Sequence, residues 1–280
     1  MPNDAANLPA LVGQSPAFLD VLDRVSALAP LDRPVLVVGE RGTGKELIAA
    51  RLHYLSARWE RAYLKLNCGA LAETLLETEL FGHEAGAFTG AVRRRRGRFE
   101  LADRGTLFLD EITQASPAVQ EKVLRAIEYG EFERVGSSAT LAVDVRVVAA
   151  ANVDLPALAE QGGFRQDLLD RLGFDVVTLP PLRARRDDIP LLAETFARAM
   201  AAELGRESFS GFTAAVRDDL IAYPWPGNVR ELKNVVERAV HAAPTPGGKI
   251  AAIVFDPFES PYRPRVPGGS GAARGPATGE

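Results

Sequence analysis

A chain of 280 residues, 46% hydrophobic and 25% charged, has the make-up of one large globular domain with a smaller satellite, and argues against collagen-like, disordered and disulfide-stapled classes. The single cysteine, Cys68, cannot close an internal disulfide, and His53, His83 and His241 show no zinc-ligand spacing with it. A net charge of −4 gives no whole-chain attraction to nucleic acid, and neither a secretory leader nor the roughly 20 apolar residues of a membrane span is legible, so a cytoplasmic location is expected.

Between residues 33 and 180 short β-branched runs alternate with helical patterns, the signature of a parallel sheet covered by helices. The first run, Val35-Leu36-Val37-Val38, feeds directly into Gly39-Glu40-Arg41-Gly42-Thr43-Gly44-Lys45 and then a helical pattern. Strand, glycine-rich turn and helix in that order suit a phosphate-binding P-loop. Without Cβ atoms the backbone N–H groups can turn around phosphate oxygens, the helix N-terminus adds positive potential, and Lys45 adds a full charge. Glu46 stands where a strict P-loop has Ser or Thr, so the hydroxyl that touches Mg²⁺ is missing, and a plain glycine-rich turn stays open as the alternative. Trp59 falls in the predicted loop after that helix, and the second run, Tyr63-Leu64-Lys65-Leu66, leads into Asn67.

The segment from Phe81 to Ala91 is rich in Gly and Ala, yet carries Phe88 mid-loop, where an aromatic on a poorly packing stalk suggests a contact with a partner. A lone exposed Phe is the plain alternative. The third run, Thr106-Leu107-Phe108-Leu109, delivers Asp110 and Glu111 at its C-terminal end, where open α/β sheets bind ligands. Asp110 suits holding Mg²⁺ through water, and Glu111 suits taking the proton of an attacking water. A helix-capping acidic pair is the competing reading. Ser116-Pro117 opens a helix with Val119, Val123 and Ile127 on one face, and Val145–Val148 and Val176–Leu179 complete the strands. Pro180-Pro181 closes this region. Three helical patterns follow from about Ile189 to His241, with Asn228 as the expected cap of the last and Glu231 three residues on. From Asp256 onward ten of 25 residues are Gly or Pro, which predicts a disordered tail.

Gly86-Ala87-Phe88-Thr89-Gly90-Ala91 matches the GAFTGA motif of the sigma-54-dependent transcription activators, AAA+ ATPases that remodel RNA polymerase carrying sigma-54. Gly39 to Glu46 resembles that family's P-loop, in which Glu follows the lysine, and Trp225-Pro226-Gly227-Asn228-Val229-Arg230-Glu231-Leu232 is similar to its sensor II segment. The resemblance covers about residues 8 to 258. It implies an α/β fold: a P-loop AAA+ domain, a parallel sheet flanked by helices, with a smaller C-terminal α-helical lid. The expected divisions are an ATPase subdomain with the loop insertion at 1–182, the lid at 183–245, and a mostly disordered extension at 246–280.

By position, the resemblance implies ATP and Mg²⁺ as cofactors. ATP would be bound by Gly39, Glu40, Arg41, Gly42, Thr43, Gly44, Lys45 and Glu46, joined by Asn152 at sensor I and Arg230 at sensor II. Asp110 organises Mg²⁺, Glu111 polarises the attacking water, and Asn67 matches the residue that holds the Glu carboxylate until the motor is engaged. Arg165 and Arg171, six positions apart, match arginines used in trans, which makes a homo-hexamer the expected assembly. Gly86 to Ala91 would contact the sigma-54 RNA polymerase holoenzyme, and Glu131–Ser138 resembles a second loop that moves with the first. Trp59 matches a tryptophan that, in the phage-shock-response branch of the family, is implicated in the contact with the inhibitor phage shock protein A. Ala151 stands where Thr is expected before Asn152, so a nucleotide-dependent docking module with impaired hydrolysis is the second reading. The run Arg93 to Arg96 with Arg98 is read as a solvated face, or as a patch toward promoter DNA or acidic polymerase surfaces. No helix-turn-helix is legible, so DNA binding is not evident in this chain.

Overall fold

The structure is a computed structural model that describes residues 11–206, 208–243, 248–260 and 262–263; the tail from 264 onward lies outside the described residues. In chain order the elements are α1 (Pro16–Leu28), β1 (Val35–Val38), α2 (Lys45–Tyr54), β2 (Tyr63–Asn67), α3 (Glu73–Phe81), β3 (Gly82–His83), β4 (Arg95–Arg96), α4 (Arg98–Leu101), β5 (Thr106–Asp110) and α5 (Pro117–Tyr129). They continue with β6 (Glu131–Glu133), β7 (Thr140–Ala142), β8 (Arg146–Ala151), α6 (Leu155–Glu160), α7 (Gln166–Leu172), β9 (Val176–Thr178), α8 (Asp188–Glu203), α9 (Ala214–Ala222) and α10 (Asn228–Ala242).

Five strands form a parallel sheet in the order β2-β5-β8-β1-β9, so all five expected runs become its strands. Their nearly unbroken apolar character follows from burial on both faces. Leu36, Leu107, Leu109, Val147 and Ala149 point into one core beneath α3, α5 and α7. Their alternate neighbours Val37, Phe108, Val148, Ala150 and Val177 point into the other, against Val25 of α1 and Ile48 and Leu52 of α2. Parallel pairing puts the C-terminal ends of β1, β5 and β8 side by side, which brings Gly39, Asp110 and Asn152 to one edge of the sheet. The helix expected at Ser116-Pro117 is α5, whose Ser116 hydroxyl accepts from the Val119 N–H.

Helices α8, α9 and α10 form a separate layer around the fully buried Trp225, whose indole N–H donates to the Leu220 carbonyl at 2.7 Å. Ile250, Ile253 and Phe255 add to this second core. One expected detail changes. The cap of α10 is Gly227, and Glu231 reaches back to accept from the Gly227 N–H at 2.8 Å. Asn228 is already inside the helix with φ +54 and is fully buried, because its side chain is engaged elsewhere. No helix among the described residues is long and apolar enough to cross a membrane.

Candidate functional site

The loop after β1 is shaped by two left-handed glycines, Gly42 (φ +78) and Gly44 (φ +101), conformations that a side chain disfavours. Thr43 closes the turn by donating its hydroxyl to the Glu40 carbonyl at 2.8 Å. Gly44 caps α2, so the free N–H groups of the first helical turn open at the loop. Lys45 folds back onto the Gly39 and Glu40 carbonyls at 2.8 and 3.1 Å. Burial lowers its pKa, opposed by the charges of Asp110 and Glu111. Glu46, in the place of the usual hydroxyl, instead pairs with Lys65 of β2 at 2.8 Å.

One strand over, Asp110 is partly buried, and desolvation raises its pKa against the pull of Lys45. Its carboxylate accepts from the Glu111 N–H at 3.0 Å and, more weakly, from the Asn67 amide at 3.4 Å. Asn67 thus reaches Asp110 here, while the Glu111 carboxylate lies 3.8 Å from Arg41. Glu111 holds a left-handed backbone at φ +52. Among the described residues four non-glycines hold positive φ, and two of them, Glu111 and Asn228, contact this site, the kind of strain that structures maintain where geometry matters.

The lid presses directly on the P-loop. The Arg230 N–H donates to the Gly42 carbonyl at 3.3 Å, and a Cβ on Gly42 would lie 2.3 Å from the Gly227 carbonyl oxygen. Asn228 accepts from the Leu182 N–H at 2.8 Å and donates to Glu40 and to the Arg41 carbonyl, both at 3.0 Å. Arg183 completes the clasp with two bonds to Glu40 at 2.5 and 2.8 Å, and these partners hold the Glu40 pKa down to about 2. Glu40 and Asn228 are therefore a bridge between P-loop and lid, a role the local sequence did not signal. Gly42→Ala combines the carbonyl clash with an unfavourable φ, and is expected to destabilise the protein by about 1–3 kcal/mol. Thermal unfolding would show the lower Tm, and an ATP titration would show weaker binding as the lid is pushed off the loop.

The other singled-out residues lie apart from the P-loop. Phe88 is 46% exposed, Thr89 is exposed, and nothing surrounds Gly86 or Gly90 within 4 Å of an added Cβ. The loop closes on itself through the Gly86 N–H to the Ala91 carbonyl at 2.8 Å. Its base is tied to the turn between β6 and β7: Val135 bonds to Gly82 and Glu84, Gly136 abuts Ala87, and buried Arg134 bridges Glu84 and Glu100 at 2.7 Å each. The arginine run is largely paired at the surface, Arg95 and Arg98 with Glu79, and Arg94 and Arg96 with Glu100. Arg165 binds Asp167 and Glu121, and Arg171 binds Glu128. Trp59 is 44% exposed after α2. Asn152 follows β8, whose last residue, Ala151, accepts from the Gly39 N–H.

This sheet order, P-loop and overlying helical lid define a AAA+ protein. The profile of the sigma-54 interaction domain matches residues 11–178, that of a AAA+ ATPase lid domain matches 183–256, and the chain belongs to the sigma-54-dependent transcription activators, a family of ATPases. It is 61% identical over 249 residues to the Psp operon transcriptional activator of Escherichia coli K12, covering 89% of this chain and 77% of that protein. The regulatory protein ZraR of Salmonella typhimurium is 52% identical over 240 residues, which span 86% of this chain but only 54% of ZraR. The solved structure of NtrX from Brucella abortus in complex with ATP superposes with a TM-score of 0.80 at 33% identity, covering 86% of this chain and 53% of NtrX.

Proposed function

We propose that this chain uses Mg-ATP hydrolysis, in a cytoplasmic homo-hexamer, to drive the Gly86–Ala91 loop against sigma-54 and convert the closed complex of its RNA polymerase holoenzyme to the open one. The observation that carries this reading is the exposed Phe88-Thr89 tip on a stalk bonded at its base to a second hairpin. A covalent path joins the tip to the reacting end. A side chain at Gly69 would lie 2.5 Å from the Glu111 carboxylate, and the chain runs from Gly69 through α3 into the loop, so a shift of Glu111 bears on the helix that carries the tip.

In this reading the Gly39–Glu46 turn and Lys45 bind the phosphates, and Asn152 and Arg230 contact the nucleotide from sensor I and the lid. The acidic chemistry at the strand ends fits a divalent ion: Asp110 is a partly buried carboxylate facing Lys45, and would hold Mg²⁺ through water. When bound, the ion would supply positive charge that offsets that of the phosphates. Glu111 takes the proton of the attacking water; Asn67, which reaches Asp110 in this structure, would turn to the Glu111 carboxylate once nucleotide is bound and hold it until the motor is engaged; and Arg165 and Arg171 act on the nucleotide of the adjoining subunit. The ATPase subdomain ends near 182, and the lid runs past the expected end at 245, since Ile250, Ile253 and Phe255 pack in its core. Trp59 is the proposed contact for phage shock protein A, supported by its exposure.

Abortive transcription from a sigma-54 promoter tests the reading. Wild-type protein is expected to give open complexes with ATP, while Thr89→Ala loses them and keeps ATP hydrolysis. Equal open-complex formation by both would contradict the role given to this loop.

A further inference from the structure

An apolar cavity of about 240 Å³ adjoins Thr43 and Gly44 of the P-loop, walled by Phe18 of α1, Leu179, and Phe196 and Val229 of the lid. One charged side chain lines it. Arg185, in the linker before α8, is only 4% exposed. A buried guanidinium has five donors to satisfy and is costly when they lack acceptors. Here its partners are few. Nη2 makes a long 3.4 Å contact with the Thr43 carbonyl, Nη1 is 4.0 Å from Asp188, and the ring of Phe18 stacks on the guanidinium at 4.7 Å. Asp188 does not need Arg185, since the Gln14 and Ser15 N–H groups and the Ser15 hydroxyl already bind it at 2.7–2.8 Å. The Nε–H of Arg185 is buried with no partner at all.

We propose that Arg185 reads the base of the nucleotide, its Nε–H donating to a ring nitrogen of a purine seated in this cavity. The inference rests on the P-loop binding the phosphates of that same nucleotide. The cavity's apolar walls suit the faces of a purine, and Arg185 brings the one charged donor in its lining. Because Arg185 also touches Thr43 and stands at the root of the lid, the same contact would tie base occupancy to the lid's position.

Equilibrium binding of ATP and of its 1-deaza, 3-deaza and 7-deaza analogues to the full chain tests this, with tripolyphosphate as a probe of the phosphate end alone. One analogue is expected to bind wild-type protein about tenfold or more weaker than ATP, as loss of a charged hydrogen bond predicts. In Arg185→Met, ATP is expected to weaken by a similar factor and that analogue to show no further loss, with tripolyphosphate binding unchanged. A merely structural arginine would not produce this loss of discrimination. If all three analogues bind wild-type protein as tightly as ATP, the assignment of Arg185 is overturned while the phosphate site stands; if ATP itself does not bind, both fall. Should Arg185→Met not fold, Arg185→Gln takes its place, and a variant that still discriminates between ATP and that analogue as wild type does overturns the assignment.

Discussion

Arg165→Ala and Arg171→Ala are each expected to lower ATP turnover by about 10³–10⁵-fold, the range seen when an arginine is withdrawn from a transferring phosphoryl group. Within one chain neither side chain is directed to the P-loop by any bond described; they pair with Asp167, Glu121 and Glu128 on the surface. Exposed pairs of this kind contribute little to stability, so they give way readily when a neighbour's phosphate competes. The substitutions should therefore leave Tm nearly unchanged while turnover collapses. Mixing supplies the decisive measurement. Subunits carrying Lys45→Ala have a disabled phosphate site but intact arginines, so adding them to Arg171→Ala subunits is expected to restore phosphate release at mixed junctions. Equal silence in the mixture and in the separate variants would place these arginines outside the mechanism.

Glu111→Gln is expected to reduce kcat by about 10²–10⁴-fold, the contribution of a positioned general base, with ATP affinity close to wild type. Geometry separates the two acids. Asp110 ends β5 in ordinary strand conformation beside Lys45, whereas Glu111 turns into the left-handed region at φ +52 and swings its carboxylate toward Arg41 and Gly69. A group placed there can act on water without adding directly to phosphate binding. Single-turnover phosphate release alongside an ATP titration would check this, and a variant that loses affinity and turnover in equal measure would argue for a binding role instead.

What the amino-acid sequence determined by itself is the chemistry carried by contiguous residues. The strand, glycine turn and lysine at 35–45, the acidic pair closing a strand at 110–111, and the Gly86–Ala91 loop are local patterns whose backbone demands and side-chain types sit within a few positions of each other. The five strands were legible for the same reason, since burial on both faces leaves a short apolar run. What only the tertiary structure decided are contacts between distant segments. Asn228 reads as a helix cap, yet it meets Glu40 across 188 positions, and Arg183 reaches the same carboxylate across 143. Arg185 reads as one of several linker arginines until the closing of α1, P-loop and lid around it buries its guanidinium. Backbone signs at Glu111, Trp225 and Asn228 were equally hidden. Residue type alone disfavours φ above zero there, and the surrounding packing imposes it.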